Sequence, residues 1–249
     1  LIDPELVMLA NGDMLVFLTE IVIQAPDPAR FVVRLFRSVD QGLSWWQLPD
    51  PIVGPPGIKI EDPKAIELAD GDVLLAYEYE IEDLGASRIE QIRSGDGGVS
   101  WDPPTVLWDD VPVSDDEPGG YQPLADDEIW FLASTDEDSV ETYTDAVVKG
   151  RTSNDGGLTW GPSVAVIPEP DQIVFGSAMD SAGHVLVATV RHYSITPRIL
   201  NVYHVDPDSP GAWGCRPLVF VDGLDSGGPG RWSSVFYEPS PARRSGLAR

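Results

Sequence analysis

Two Asp-Pro steps, Asp3-Pro4 and Asp62-Pro63, stand at matching places in this sequence, and a further acid, Glu61, leads the second. Another acid, Glu141, lies in a run with Asp136, Glu137, Asp138, Tyr143 and Asp145, and Arg191, His192 and Tyr193 are consecutive. Acids in such sets can cleave a glycosidic bond. One carboxyl kept protonated gives its proton to the leaving oxygen, while an ionised carboxylate or another nucleophile works across the sugar. Asp62 and Glu61 on one strand, with Glu141 from a separate unit, are the catalytic candidates. Asp3, Arg191, His192, Tyr143, Tyr193 and Trp232 are the binding candidates, the guanidinium to orient a carboxylate or a hydroxyl-rich ligand and the rings to stack on it. Each has a plainer role beside this one. Loop acids are common in so acidic a chain, a repeated Asp-Pro can cap a structural unit, Arg191 can bridge to a neighbouring element, and Trp232 can fill an apolar channel.

The elements that must position these residues are legible from a repeat. Ser38-Val-Asp40-Gln-Gly42-Leu-Ser44-Trp45, Ser94-Gly-Asp96-Gly-Gly98-Val-Ser100-Trp101 and Ser153-Asn-Asp155-Gly-Gly157-Leu-Thr159-Trp160 share one pattern, with central glycines 56 and 59 residues apart. In each copy the Asp can accept backbone N–H groups across a tight turn, the Gly can take φ > 0, and the hydroxyl residues can tie the ends together. The Trp supplies an apolar anchor against the neighbouring sheet. These aspartates are therefore structural.

A second repeat precedes each box. Asp3 to Leu18 reads as strand, Asn11-Gly12 turn, strand, and Asp62 to Tyr77 repeats it around Asp70-Gly71; a two-residue connection is expected in each. A third copy runs through Gln122-Pro123, an acidic turn at Asp126-Asp127-Glu128 and Ile129 to Ala133, and a fourth through Ser177 to Arg191 around Gly183. Third strands follow at 31–37, 87–93, 146–151 and 199–205, and each box is the turn to a fourth strand. Four antiparallel strands repeated radially make an all-β fold, a β-propeller of four-stranded blades. The blade units are expected at 1–58, 59–118, 119–173 and 174–228, with a partial fifth at 229–249. A ring of six such blades needs about 340 residues, so four to five blades of an expected six are present and a longer parent chain is expected to hold the rest. The hairpin turns and boxes share one face; first-strand starts and the loops from second to third strands share the other, and that face gathers the candidate residues.

The boxes at 38–45, 94–101 and 153–160, with their hairpins, resemble the sialidase superfamily with bacterial neuraminidase (Asp-box) repeats over nearly the whole chain. The resemblance implies a propeller fold, a carbohydrate or glycoconjugate ligand and no cofactor. Members that cleave sialic acid hold its carboxylate with three arginines and use an Asp acid/base with a Glu-activated Tyr. Here the place of the first arginine reads Ile2-Asp3-Pro4, the Tyr-Ser of the nucleophile matches Trp232-Ser233, and Val174 or Phe175 stands where the Glu is expected, while Arg191 is kept.

Composition narrows the rest. The formal charge of −25, with 16 basic against 41 acidic residues, repels nucleic acid and anionic membranes. So many acids beside three lysines also match a halophilic protein. Cys215 is the sole cysteine and His184, His192 and His204 form no metal motif, so no metal site is expected. No apolar run is long enough to span a membrane, and no leader is evident in the first residues; an extracellular or cell-surface location is favoured over the cytoplasm. Two functions compete: a glycoside hydrolase of the sialidase-like clan acting on an exposed sugar or polysaccharide end, and a non-catalytic propeller binding glycan or protein. A propeller of the photosystem-assembly or sorting-receptor type has no residue in its favour. An axis lined by three arginines favours a sialidase, one lined by carboxylates and aromatics another glycosidase, and an apolar or plugged axis a binding role.

Overall fold

The computed structural model describes residues 1–23, 29–81, 84, 86–109, 115–125, 127–136, 145–167, 169–179, 183–191, 199–205, 218–221 and 234–236. The backbone alone is described at 115, 125, 191, 199, 218–221 and 234–236. The fold is all-β, four antiparallel sheets arranged as a β-propeller. The first blade is β1 (Ile2–Met8), β2 (Met14–Val22), β3 (Arg30–Ser38) and β4 (Trp46–Gln47), with β5 (Ile52–Val53) also on β3. The second is β6 (Ile58–Glu67), β7 (Val73–Ile81), β8 (Ala86–Ser94) and β9 (Thr105–Trp108). The third is β10 (Asp115–Ala125), β11 (Glu128–Asp136), β12 (Val147–Ser153) and β13 (Val164–Ile167). The fourth is β14 (Gln172–Met179), β15 (Val185–Arg191), β16 (Ile199–Val205) and β17 (Leu218–Val221), and β18 (Ser234–Phe236) pairs antiparallel with β17.

Apolar clusters fill the seams between successive blades. Phe17, Leu35, Ile60, Leu75 and Tyr77 pack between the first and second, Leu74, Ile89, Trp108, Tyr121 and Phe131 between the second and third, and Trp130, Leu132, Val148, Val174 and Val187 between the third and fourth. This explains the unbroken apolar runs Val73–Tyr77 (VLLAY) in β7 and Ile129–Ala133 (IWFLA) in β11: each lies between two neighbouring sheets and both its faces are covered. In β2 only alternate residues, Leu15, Phe17 and Thr19, are fully covered, and on the other face of its blade Leu6 and Met8 are exposed.

The boxes close as their residue types require. Gly42, Gly98 and Gly157 donate backbone N–H to the hydroxyls of Ser38, Ser94 and Ser153 at 2.8–2.9 Å. Asp40, Asp96 and Asp155 accept both the backbone N–H and the hydroxyl of Ser44, Ser100 and Thr159. These bonds to the ionised form hold the Asp96 and Asp155 carboxyls down at about 2. Trp101 packs edge-on to Phe17 in the preceding blade, 6.1 Å between ring centres, and Trp160 packs against Tyr121 and Phe131, whereas Trp45 is 39% exposed. Arg93 fastens one blade to the next, bonding Asp70 and Asp72 in its own hairpin turn and the Gly156 carbonyl in the following box.

The hairpin connections are one residue longer than the Asn-Gly and Asp-Gly pairs predict. Leu9 and Leu68 donate N–H to the carbonyls of Asp13 and Asp72 at 2.8 Å, enclosing three-residue loops. A two-residue type I′ turn needs φ > 0 at both central positions; here Gly12 and Gly71 adopt it (φ 88°), while Asn11 and Asp70 instead accept the N–H of Asp13 and Asp72 on their side chains.

Candidate functional site in the axial cleft

The inner strands β1, β6, β10 and β14 stand side by side around the axis, and each carries a β-bulge with one extra residue. The bulges lie between Ile2 and Glu5, Glu61 and Lys64, Pro118 and Gly120, and Val174 and Gly176. A bulge turns successive side chains out of the regular alternation and widens the spacing toward the axis. The Asp-Pro steps are the bulged residues of the first two strands. Asp3 and Asp62 take left-handed backbone, φ 51° and 49°, which costs a non-glycine residue energy and in many proteins marks a functional position.

The two aspartates meet. The Asp3 carboxylate lies beside the Asp62 backbone N–H, and its charge acts on the Asp62 carboxyl. Burial and then the Asp3 charge push Asp62 up to about 6, against a partial offset from Lys64. Burial raises Asp3 as well, opposed by the nearby Asp62 N–H and by Lys64. Glu61 is pushed up to about 7, chiefly by burial, although Lys59 opposes the shift. Strand alternation turns Glu61 to the side of the sheet opposite Ile60, the side on which Lys59 pairs with Glu80 at 2.6 Å.

One step deeper lie Glu5 and Lys64, each the second residue after a bulged aspartate. Glu5 is raised by burial, with Lys64 opposing, and accepts the N–H of Ala65 at 3.3 Å. They line a depression of about 80 Å³ with Gly119, Gly120, Gln122, Phe175, Gly176 and Ser177. Gln122 donates to the Ser177 hydroxyl at 2.8 Å across the third and fourth blades. Phe175, the bulged residue of β14, is 51% exposed beside it. A Cβ on Gly119 would lie 2.3 Å from Val174, so glycine lets these strands approach, whereas a Cβ on Gly176 would have nothing within 4 Å. The four inner strands contain no arginine. The axis therefore combines carboxylates, one ammonium, amide and hydroxyl groups and an exposed ring, a set able to hydrogen-bond a polyhydroxylated ligand and to move a proton.

Of the residues singled out in the sequence, Asp3 and Asp62 come together on the axis, with Glu61 next in the chain. Arg191 ends β15, its backbone opposite Gln172 and Ile199, and its side chain lies outside the described residues. Glu141, Tyr143, His192, Tyr193 and Trp232 also lie outside them. Glu5, Lys64 and Phe175 were not picked out as site residues; aligning Asp3-Pro4-Glu5 with Asp62-Pro63-Lys64 signals the first two. Among the described residues no three His, Cys, Asp or Glu side chains are arranged to hold a metal ion, and no helix is long and apolar enough to cross a membrane.

This architecture is that of the sialidase-like β-propeller glycosidases, and the chain shares their fold at low identity. An α-L-arabinanase of Penicillium chrysogenum, solved with arabinobiose, superposes with a TM-score of 0.63 at 18% identity over 86% of this chain and 65% of its own. A family GH93 α-L-arabinofuranosidase of Fusarium graminearum, also with arabinobiose, gives 0.66 at 15% identity over 93% of this chain and 68% of its own. A Hadza microbial sialidase gives 0.57 at 16% identity over 80% and 43%. The chain thus spans from less than half to about two thirds of these proteins, and its sheets cover part of a six-bladed propeller. No protein-family model matches the sequence, and no curated protein does.

Proposed function

We propose that this propeller is a glycoside hydrolase whose axial cleft takes the exposed end of a neutral sugar chain, with Asp62 as general acid and Asp3 as its ionised partner. The observation that carries the reading is the pair of bulged, left-handed aspartates on adjacent inner strands, near enough for the Asp3 charge to act on Asp62. Burial and the Asp3 charge push Asp62 up to about 6, so below that pH it keeps a proton it can give. Asp62 gives that proton to the glycosidic oxygen as its bond to the anomeric carbon breaks; solvent water adds at that carbon and its released proton restores the acid, while the charge on Asp3 offsets the positive charge growing on the sugar ring. Lys64 holds the pair in place electrostatically, and Phe175 offers a face for the ring. The carboxyls of Asp3, Glu5, Glu61 and Asp62 gathered on β1 and β6 support a neutral sugar over an anionic one, and the solved relatives that hold arabinobiose make an arabinoside the first substrate to try.

The test is turnover of a panel of aryl glycosides, an α-L-arabinofuranoside and a sialoside among them, from pH 4 to 8. Cleavage of a neutral member that falls at least 100-fold in Asp62→Asn supports the assignment. Unchanged turnover in that variant refutes it. A glycan-binding role without catalysis is the second reading, favoured by one observation: among the described residues lining the axial depression, the charged pair Glu5 and Lys64 comes from the first two blades, while the third and fourth supply glycines, Gln122, Phe175 and Ser177.

A further inference from the structure

A second cavity, of about 150 Å³, opens on the second blade at the same end of the strands as Asp62, lined by Tyr79, Ile81, Ala86, Ser87, Arg88 and Asp109. Ile60, Tyr79 and Arg88 form one row across β6, β7 and β8, so Arg88 stands two strand spacings, about 10 Å, outward from the strand that carries Glu61 and Asp62. We propose that this cavity is a second binding site for one neutral sugar unit, an outer subsite for a chain whose end lies in the axial cleft. The inference rests on reading the cleft as a glycan site.

The side chains are fixed before any ligand arrives. Arg88 stacks over the Tyr79 ring at 4.1 Å and gives Nε–H and one Nη2–H to a single Glu90 oxygen, at 3.0 and 2.6 Å. The other Glu90 oxygen accepts the Tyr77 hydroxyl at 2.8 Å. Glu90 thus takes two of the five guanidinium donors and leaves the group locked in one plane. Such a plane can donate a pair of hydrogen bonds to neighbouring hydroxyls without losing rotamer entropy on binding. Asp109 is exposed and close enough to act on the Arg88 charge, so the cavity also presents an acceptor. Ile81 and Ala86 supply apolar wall. Ser87 serves the seam beneath the cavity instead, since its hydroxyl bonds both the N–H and the carbonyl of Asp116 in the next blade.

Charge decides the ligand class. One guanidinium stands against the carboxylates of Glu90 and Asp109 in a chain of formal charge −25, so the cavity repels a further anion. A neutral polyol, whose hydroxyls donate to Asp109 and accept from Arg88 at once, is the ligand that satisfies both groups, with Tyr79 and the apolar wall covering its C–H surface.

The probes are methyl α-L-arabinofuranoside, methyl β-D-galactopyranoside, methyl β-D-xylopyranoside and D-glucuronate, followed by saturation-transfer NMR on the chain carrying Asp62→Asn and Gly176→Leu, the second to fill the axial depression. The expected result is transfer to at least one neutral glycoside and none to glucuronate, with the neutral signal falling at least fivefold on Arg88→Ala and on Asp109→Ala. If Arg88→Ala unfolds because Glu90 loses its partner, Asp109→Ala decides, since that exposed side chain leaves the core untouched. Neutral signals unchanged by the decisive variant, no neutral signal at all, or preference for glucuronate overturns the proposal. Asp109-dependent binding without hydrolysis of any aryl glycoside would instead sink only the catalytic reading; hydrolysis lost in Asp62→Asn, with sugar binding indifferent to Arg88 and Asp109, would sink only the outer subsite.

Discussion

Asp62→Asn should stabilise the fold at neutral pH while removing the proposed acid. The Asp62 carboxyl titrates at 3.8 in an unstructured chain and at about 6 in the folded one, because burial and the Asp3 charge disfavour its ionised form. A difference of about two units corresponds to about 2–3 kcal/mol. Between pH 4 and pH 6 the folded chain holds a proton that the unfolded chain has released, so the stability this group contributes is full below pH 4 and is lost as pH rises through 6. At pH 7.5 the wild-type chain therefore carries an unfavourable charge that asparagine lacks. The variant should be more stable there by about 2–3 kcal/mol, or roughly 5–10 °C in a chain of this size. At pH 4 the wild-type carboxyl is itself neutral and the difference should vanish. Urea unfolding at pH 7.5, 6 and 4, followed by tryptophan fluorescence, measures it as a change in midpoint at constant slope. A variant less stable than wild type at pH 7.5, or a difference that does not shrink on acidification, would refute the account of the buried pair.

Other outcomes follow from the same geometry. Asp96→Ala should lower the thermal midpoint at pH 7, and because Asp96 titrates at about 2 when folded, the deficit should close as pH falls from 4 toward 2; scanning calorimetry across that range checks it. Gly157→Ala places a Cβ 2.6 Å from Leu74 at φ 82° and should cost about 2–3 kcal/mol in chemical denaturation, since the blade seam and the box turn both resist it. Gly176→Leu meets no atom within 4 Å at its Cβ, so stability should stay within about 0.5 kcal/mol while the side chain fills the axial depression. Its readout is a kcat/KM at least tenfold lower on the glycoside that the wild-type chain cleaves.

The sequence by itself determined the blades. Three boxes spaced by 56 and 59 residues name the same turn three times, and each bonding partner is local: Asp40 reaches Ser44 and Ser38 reaches Gly42 within four residues. Short-range geometry of this kind is fixed by residue type, which is why strands, box turns and their shared face could be read from the pattern. The repeat also located Asp3 and Asp62 as equivalents, but not what they do. Tertiary structure decided that, because the inner strands meet only when blades pack radially, and the meeting depends on one extra residue in each strand. A period-2 pattern carries no mark of that bulge: Asp3 and Asp62 look like ordinary strand starts, and Gly119-Gly120 and Phe175-Gly176 look like loop or interrupted strand. The contact between Asp3 and Asp62 spans 59 positions in the chain, and that between Gln122 and Ser177 spans 55. The raised Asp62 carboxyl follows from the same packing, since burial and a neighbouring charge exist only once adjacent blades have closed on the axis.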